Sequence, residues 1–368
     1  MEIASKRFKK SPFFDSYHHD DTVYGVYNKR LYPLDCGFDS AEHYRHLKQK
    51  ACVYDVPETP LKIIGKDSVH FLEKLFTRNI VDIKVGRAVY AFACDHDGGI
   101  MMDGVLMRPN DNEFIYVQAD GDFLSWAKAN AADYEVTIED FDSWVLQVQG
   151  PTSLELLEKI TGLNSKTFRY YSVTETEINS IPIYLSRTGW TGEKGFEIYT
   201  KGNDIDGVAL IDYLLEEGRS SGLIKSDIGS MHIRRIEAGI LDYGTDFDSD
   251  LNPYQIGLEK FIDWKKTDFN GKRALQNTQE KDAKIYGMKV EAHTPNAGEM
   301  LMNESGDLVG TVTAGAWSPY FDCGIAIVRL SKNICPTQRL LLQDGSKKHG
   351  VDLIKLPFYD EKKLIPKD

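Results

Sequence analysis

A chain of 368 residues, 42% hydrophobic and 27% charged, is too long for one core and has the make-up of a folded, water-soluble protein of two or three domains. Its formal net charge of −12 excludes nucleic acid, whose phosphates need a basic face, and anionic membrane surfaces as partners. No apolar run is long enough to span a bilayer, the charged first ten residues do not read as a secretory signal, and the five cysteines are scattered and odd in number, so the expected setting is the cytoplasm, with reduced thiols.

In chain order, residues 1–20 read as an arm with few core positions, and Thr22–Leu31 alternates aromatic and polar residues. Ser40–Lys50 has the pattern of a short helix with polar faces. Leu61–Gly65 reads as a strand, and Asp67 as the cap of a helix whose apolar side is Val69, Leu72, Leu75 and Phe76. Ala88–Cys94 and Gly104–Met107 read as strands about the turn Asp97–Gly99, followed by a strand Glu113–Gln118 and a helix Asp122–Ala131. Helices are expected at Ser153–Thr161, at Asp204–Glu217 with Gly218 as its stop, and at Asp227–Ala238. Asp263–Lys272 is a charged link. The remainder is strand-rich: Ile285–Val290, Leu308–Ala314, Gly324–Arg329 and Gln338–Leu342. The histidine pairs His18/His19 and His43/His46 have no third ligand nearby in sequence, so no metal site is expected.

The most informative stretch is Arg187–Tyr199, Arg-Thr-Gly-Trp-Thr-Gly-Glu-Lys-Gly-Phe-Glu-Ile-Tyr. Strand-like Ile181–Ser186 precedes it and Phe196–Tyr199 follows, so it reads as a Gly-rich turn at a hairpin end. Gly189, Gly192 and Gly195 suit positive φ or the close approach of a ligand. A carboxylate just past such a turn can accept two parallel N–H bonds from a flat heterocycle. The plain alternative is a structural loop, with Glu193 as a solvated charge and Trp190 as a hairpin anchor.

This loop resembles the folate-binding hairpin of the glycine-cleavage T-protein superfamily. Three further segments agree in order: Val145–Ser153 with its Gln-Gly-Pro, the block Arg235–Asp246, and Val309-Gly-Thr with Trp317-Ser-Pro. The resemblance implies an α+β protein of three domains around a central channel. Residues 1–51 plus 141–262 would form the first domain, 52–140 an inserted α+β domain and 263–368 a C-terminal β-rich domain. It also implies tetrahydrofolate as one-carbon acceptor. Glu197 becomes the acceptor for the pterin N3–H and 2-amino group, with Trp190, Glu193, Tyr243 and Gln118 completing the folate set. Glu237 has a plainer account, an ion pair with Arg234 one turn away. Asp246–Asp250 lacks the glycine and distal glutamate of a calcium loop and reads as a solvated or capping loop.

One departure bears on the reaction. The family pattern Gly-Gly-x-x-Asp-Asp falls on Asp97-Gly-Gly-Ile-Met-Met-Asp103, so Met102 stands where the family has its catalytic aspartate and only Asp103 remains. Methionine can neither move a proton nor stabilise an ammonium by charge. Alternation turns Met102 and Asp103 to opposite faces; a slip of one residue would restore Asp103 as the carboxylate. A methyl on a sulfonium or quaternary nitrogen needs mainly positioning against folate N5, and tyrosines can hold such an onium. Tyr24, Tyr27 and Tyr32 with Arg30 offer that surface, with Trp317 as a further donor contact; the alternative is a strand with one buried tyrosine face.

Val26-Tyr27-Asn28, Ala119–Asp122, Tyr243–Asp248, Asn252-Pro253 and Ser318–Phe321 resemble the dimethylsulfoniopropionate demethylase branch of the superfamily. The expectation is a tetrahydrofolate-dependent demethylase that takes a methyl from a small zwitterion and yields 5-methyltetrahydrofolate. Tyr243 and Asp103 would be its catalytic residues. The alternatives are an aminomethyltransferase served by a lipoylated carrier protein, a demethylase of another methylated donor, and a non-catalytic folate-binding protein. A homodimer is left open.

Overall fold

A computed structural model of the protein describes residues 7–282, 284–331, 334 and 339–367. Residues 1–6 of the expected arm, Cys335 and Gln338 lie outside the described residues.

The first unit is a six-stranded sheet in the order 173–178, 181–186, 195–200, 145–149, 51–56, 223–225. Its middle strands Val145–Gln149 and Gly195–Thr200 are buried at every position, because both faces are covered. One face packs under helices Ser153–Thr161 and Gly207–Glu217, with Trp144, Leu146, Val148, Phe196 and Ile198 in the core. The helix ends follow local chemistry. Asp206 accepts from Ala209 N to start the second, and Gly162 at φ 69° closes the first in the left-handed region.

The inserted unit is a five-stranded sheet in the order 87–94, 100–110, 113–118, 59–64, 137–140. Strand Ala51–Val56 pairs in register with Val145–Gln149 of the first sheet, so the insertion begins at Thr59, seven residues later than 52. That strand is buried at all positions and has no alternation to announce it. Helices Ser68–Leu75 and Phe123–Ala129 cover one face of the inserted sheet; the other, carrying Ala88, Met107, Ile115 and Val117, meets Tyr54, Tyr184 and Tyr199 of the first unit.

The third unit is a closed six-stranded barrel of 285–290, 323–330, 308–318, 300–302, 340–344 and 347–354. Helix Ile228–Glu237 of the first unit lies between helix Ser40–Gln49 and barrel strand Leu308–Ser318. Helix Ser40–Gln49 is less polar than expected, because Tyr44 and Leu47 turn into this junction. Glu237 fastens it. Its carboxylate accepts from Tyr44 at 2.8 Å, Ser318 at 2.6 Å and Tyr359 at 3.2 Å, with Arg234 at 3.8 Å as the expected one-turn partner. The last segment returns from the barrel over the first unit: Phe358 N donates to Glu237 O, and Arg187 Nη2 to Pro366 O.

Candidate active site

The Gly-rich hairpin owes its glycines to packing. A Cβ at Gly189 would lie 2.0 Å from the Gln149 side chain, and one at Gly195 2.4 Å from it. Gln149 fills that space, donating to Thr188 O at 3.2 Å and accepting from Thr191 at 2.8 Å. Only Gly192 needs the left-handed region, at φ 69°, where a Cβ would also meet Ala238 at 2.7 Å. Two of the three glycines therefore make room for a side chain, not for a ligand.

Glu197 lies in strand Gly195–Thr200 with Gln147 as one cross-strand neighbour and Ser186 as the other. It is buried, and Oε2 accepts from Tyr199 at 2.6 Å and from Thr188. Among the described residues no hydrogen bond ends on Oε1. Burial raises its pKa, against the two hydroxyls that favour the anion.

Glu193 has a different fate. It accepts from Arg234 Nε at 2.6 Å and Lys48 Nζ at 2.8 Å, all within the helix junction. That ion cluster occupies it and removes it from the folate set, and it is not the solvated charge of the plain alternative. Trp190 is half-buried, its backbone N–H donating to Gln147 Oε1 at 3.1 Å and its ring 5.2 Å from the Arg235 guanidinium. Gln118 is buried, donates to Gly121 O at 3.0 Å, and leaves its own carbonyl oxygen without a partner.

The tyrosine group divides. Tyr24 stacks on Phe14 at 4.9 Å and bonds His18, on the outer side of the two-stranded ribbon. Tyr27 and Tyr32 meet edge to face at 6.5 Å. Two residues, Gly25 and Val26, separate Tyr24 from Tyr27, which turns them to opposite faces. Arg30 is fully buried and committed: it donates to Glu58 O at 3.0 Å and Ser143 O at 2.6 Å, lies 3.5 Å from Asp140, and stacks 4.2 Å from the Trp144 ring. Its Nη2 makes no hydrogen bond but is sealed from solvent beside Asp140, so burial keeps the guanidinium from a donor carboxylate. Trp317 is half-buried on strand Leu308–Ser318, where alternation turns its neighbour Ser318 to Glu237 and Trp317 to the opposite face.

What does converge is a chain of carboxylates and phenols between the units. The turn Asn28–Lys29 clasps the inserted unit, with Asn28 N bonded to Asp120 and Asn28 Nδ2 to Ala119 O at 2.7 Å. This brings Tyr27 to the junction, where burial first, then the charges of Asp242, Glu58, Asp103 and Asp120, hold its phenol protonated. Glu58 is pushed up to about 8, by burial and then by Glu197. Its Oε2 is sealed from water without a partner, although the residue keeps some exposure. Asp242 is raised to about 6 by burial, against the pull of Arg235. Asp103 is raised to about 7 by burial, against the hydrogen bond from Tyr90 at 2.7 Å, with Asp242 adding to the rise. Tyr243 stands beside this group, half-buried and edge-on to Phe247 at 5.5 Å.

The orientation of Asp103 rests on a bulge. Cys94 pairs with Ile100 and Ala93 with Met102, so Met101 is the extra residue. Plain alternation from Ile100 would turn Met102 toward the first unit and bury Asp103 among helices. The bulge reverses this: Asp103 shares the interdomain face with Tyr90, Val105 and Met107, while Met102 joins Leu106, Phe76 and Phe123 under the helices. Met102 still reaches the rim of the site, its Cε 2.8 Å from a Cβ placed on Gly121, beside Tyr243. A carboxylate, that of Asp103, therefore stands on the interdomain face, and the Met102 side chain does not.

Sequence reasoning missed Glu58, Tyr90 and Asp242. Glu58 sits between two strands and Tyr90 within one, with no motif at either. Asp242 lay inside the Arg235–Asp246 block and could have been noticed there. Asp246, expected in a solvated or capping loop, is buried and not solvated: it accepts from Asp242 N at 2.9 Å and from Thr313 at 2.6 Å and pairs with Arg235.

Comparison with known proteins agrees with this architecture. The sequence matches the family described as the GCVT N-terminal domain over residues 25–266, and the glycine cleavage T-protein C-terminal barrel domain over residues 284–360. An aminomethyltransferase of Clostridium botulinum is 31% identical, covering 83% of this chain and 87% of its own length. One of Thermosipho melanesiensis is 30% identical over 88% and 92%. The crystal structure of glycine cleavage system aminomethyltransferase T from Bartonella henselae has the same fold, with a TM-score of 0.86 at 23% identity over 96% of this chain and 98% of that one. These relatives are aminomethyltransferases and lend no support to the demethylase branch. The chain belongs to the glycine-cleavage T-protein family.

Proposed function

We propose that this protein is a tetrahydrofolate-dependent aminomethyltransferase, moving a one-carbon unit from an amine-bearing donor to the folate. The observation that carries the reading is the run of carboxylates from Glu197 through Glu58 and Asp242 to Asp103, each feeling the next, between the first and inserted units. Glu197 Oε1 would take the adjacent N–H donors of the pterin, with charge assistance. Tyr27, Tyr32, Tyr243 and Trp190 would wall the ring and arm. The acidic lining favours a cationic donor and disfavours an anionic one. Asp103, lifted to about 7, could hold an ammonium when ionised and return a proton when not. The printed names of the relatives support aminomethyl as the group moved.

A second reading keeps the methyl group. Met102 supplies an apolar rim beside Tyr243 where the family pattern has an aspartate, which would suit direct transfer from an onium methyl. Incubation with tetrahydrofolate and either an aminomethyl-loaded lipoyl carrier protein or dimethylsulfoniopropionate and other methylated donors separates the two. Methylene-tetrahydrofolate from the carrier supports aminomethyl transfer. If 5-methyltetrahydrofolate forms instead, and only from a methylated donor, the main reading fails. Folate binding without either product leaves a non-catalytic folate-binding protein.

A further inference from the structure

We propose that one mouth of the C-terminal barrel is a site for a divalent transition metal, with His293, Asp344 and His349 as ligands and Glu299 orienting His293. One ligand atom from each of the three residues lies within 4.8 Å of the others. Asp344 Oδ2 is 3.8 Å from His293 Nδ1 and 3.9 Å from His349 Nε2. Those spans are too long for hydrogen bonds. They are close to what a shared ion requires: two bonds of about 2.0–2.1 Å at a tetrahedral angle hold their ligand atoms roughly 3.4 Å apart. Binding would draw these atoms in from within 4.8 Å of one another and turn one imidazole out of its stack on the other, so that both ring lone pairs meet at the ion.

Two details point to a ligand rather than to chance crowding. His349 Nε2 is buried and has no hydrogen-bond partner, a costly state for a ring nitrogen. His293 is already set as metal-bound histidines are: Nε2 faces Glu299 at 2.9 Å, which leaves Nδ1 toward the centre. Glu299 is itself held by Asn296 at 3.1 Å. The two imidazoles lie nearly parallel, with centroids 4.7 Å apart and an interplanar angle of 15°. Two imidazoles and a carboxylate, with a fourth position open to water, suit zinc and its neighbours better than calcium or magnesium.

The fold explains the convergence. Asp344 and His349 stand on either arm of the hairpin Leu340–Asp344 and Lys347–Ile354, just outside the core residues Leu342 and Val351. His293 follows strand Ile285–Val290, whose last residue is in the same core. The ion would clasp the loop after that strand to the hairpin and seal the barrel. None of these residues touches the carboxylate run between the other two units, so the proposal stands apart from the transfer reaction.

The test uses the full-length protein, stripped of metal, with zinc as the probe. Affinity is read by competition with a chromophoric chelator, stoichiometry by elemental analysis, and folding by far-ultraviolet circular dichroism. The expected result is one zinc per chain and a zinc-dependent rise in Tm. His349→Ala and the near-isosteric Asp344→Asn should weaken binding by more than about a hundredfold and abolish the rise; Glu299→Gln should weaken it by about tenfold. His70→Ala, on the inserted unit, should bind as the parent does. If the parent binds no stoichiometric zinc, or if folded Asp344→Asn and His349→Ala bind it equally well, the proposal is overturned.

Discussion

The hydroxyl of Tyr90 donates to the carboxylate of Asp103 at 2.7 Å, across the strand pair that the bulge at Met101 reorients. That contact fixes Asp103 on the face turned to the first unit, beside Asp242 and Tyr27. The account makes Asp103 the carboxylate of the transfer step. Asp103→Asn should lower turnover by about 10²–10⁴-fold while folate affinity stays within a few-fold. Single-turnover kinetics with separately measured folate binding checks this; unchanged turnover would remove Asp103 from the reaction.

Met102 supplies the complementary test. It packs among Leu106, Phe76 and Phe123, so Met102→Asp puts an ionisable group into an apolar layer. A loss of about 2–4 kcal/mol in denaturant unfolding is expected, without a gain in activity. A folded variant with raised aminomethyl transfer would mean that the site lacks a carboxylate at position 102 after all.

The pH dependence follows from the buried acids. The folded protein holds a proton on Glu58 up to about 8, against 4.5 as the ordinary value, and on Asp103 up to about 7, against 3.8. The native state therefore binds more protons than the unfolded chain across this window, so stability falls as pH rises through it. Glu58→Gln should flatten that fall: its Tm should match the parent at pH values below the window and exceed it above. Thermal melts of the ligand-free protein at several pH values measure it, and parallel curves would contradict the assignment.

Arg30 separates structure from substrate binding. Its guanidinium spans Glu58 O, Ser143 O and the Trp144 ring. Arg30→Ala should cost about 2–4 kcal/mol of stability, chiefly through carbonyls left buried without a donor. Donor KM of the fraction that folds should be unchanged. A tenfold rise in KM with stability retained would return Arg30 to the donor site.

The outline of the molecule was legible because its signals are local. Caps, periodic apolar faces and the Gly-rich turn stand in contiguous sequence, and the ordered motifs led to the family. Strand Ala51–Val56 was not legible, since burial on both faces erases alternation. Nor was the facing of Asp103, because one bulged residue inverts every inference from period two. Arg30 and Glu193 looked like ligand groups because charge in sequence carries no record of which buried partner will claim it. His293 and His349 are far apart in sequence, and only barrel closure joins them.

The most direct test of the folate assignment is titration calorimetry of tetrahydrofolate into the parent and into Glu197→Gln. Glutamine keeps the size of the side chain and an acceptor for Tyr199, so Tm should change little. It replaces one carboxylate oxygen by an NH₂ and removes the charge that the pterin donors would meet. The account predicts a loss of about a hundredfold in affinity, the scale of charge-assisted hydrogen bonds worth about 1.5–3 kcal/mol each. Equal affinity in parent and variant would contradict it.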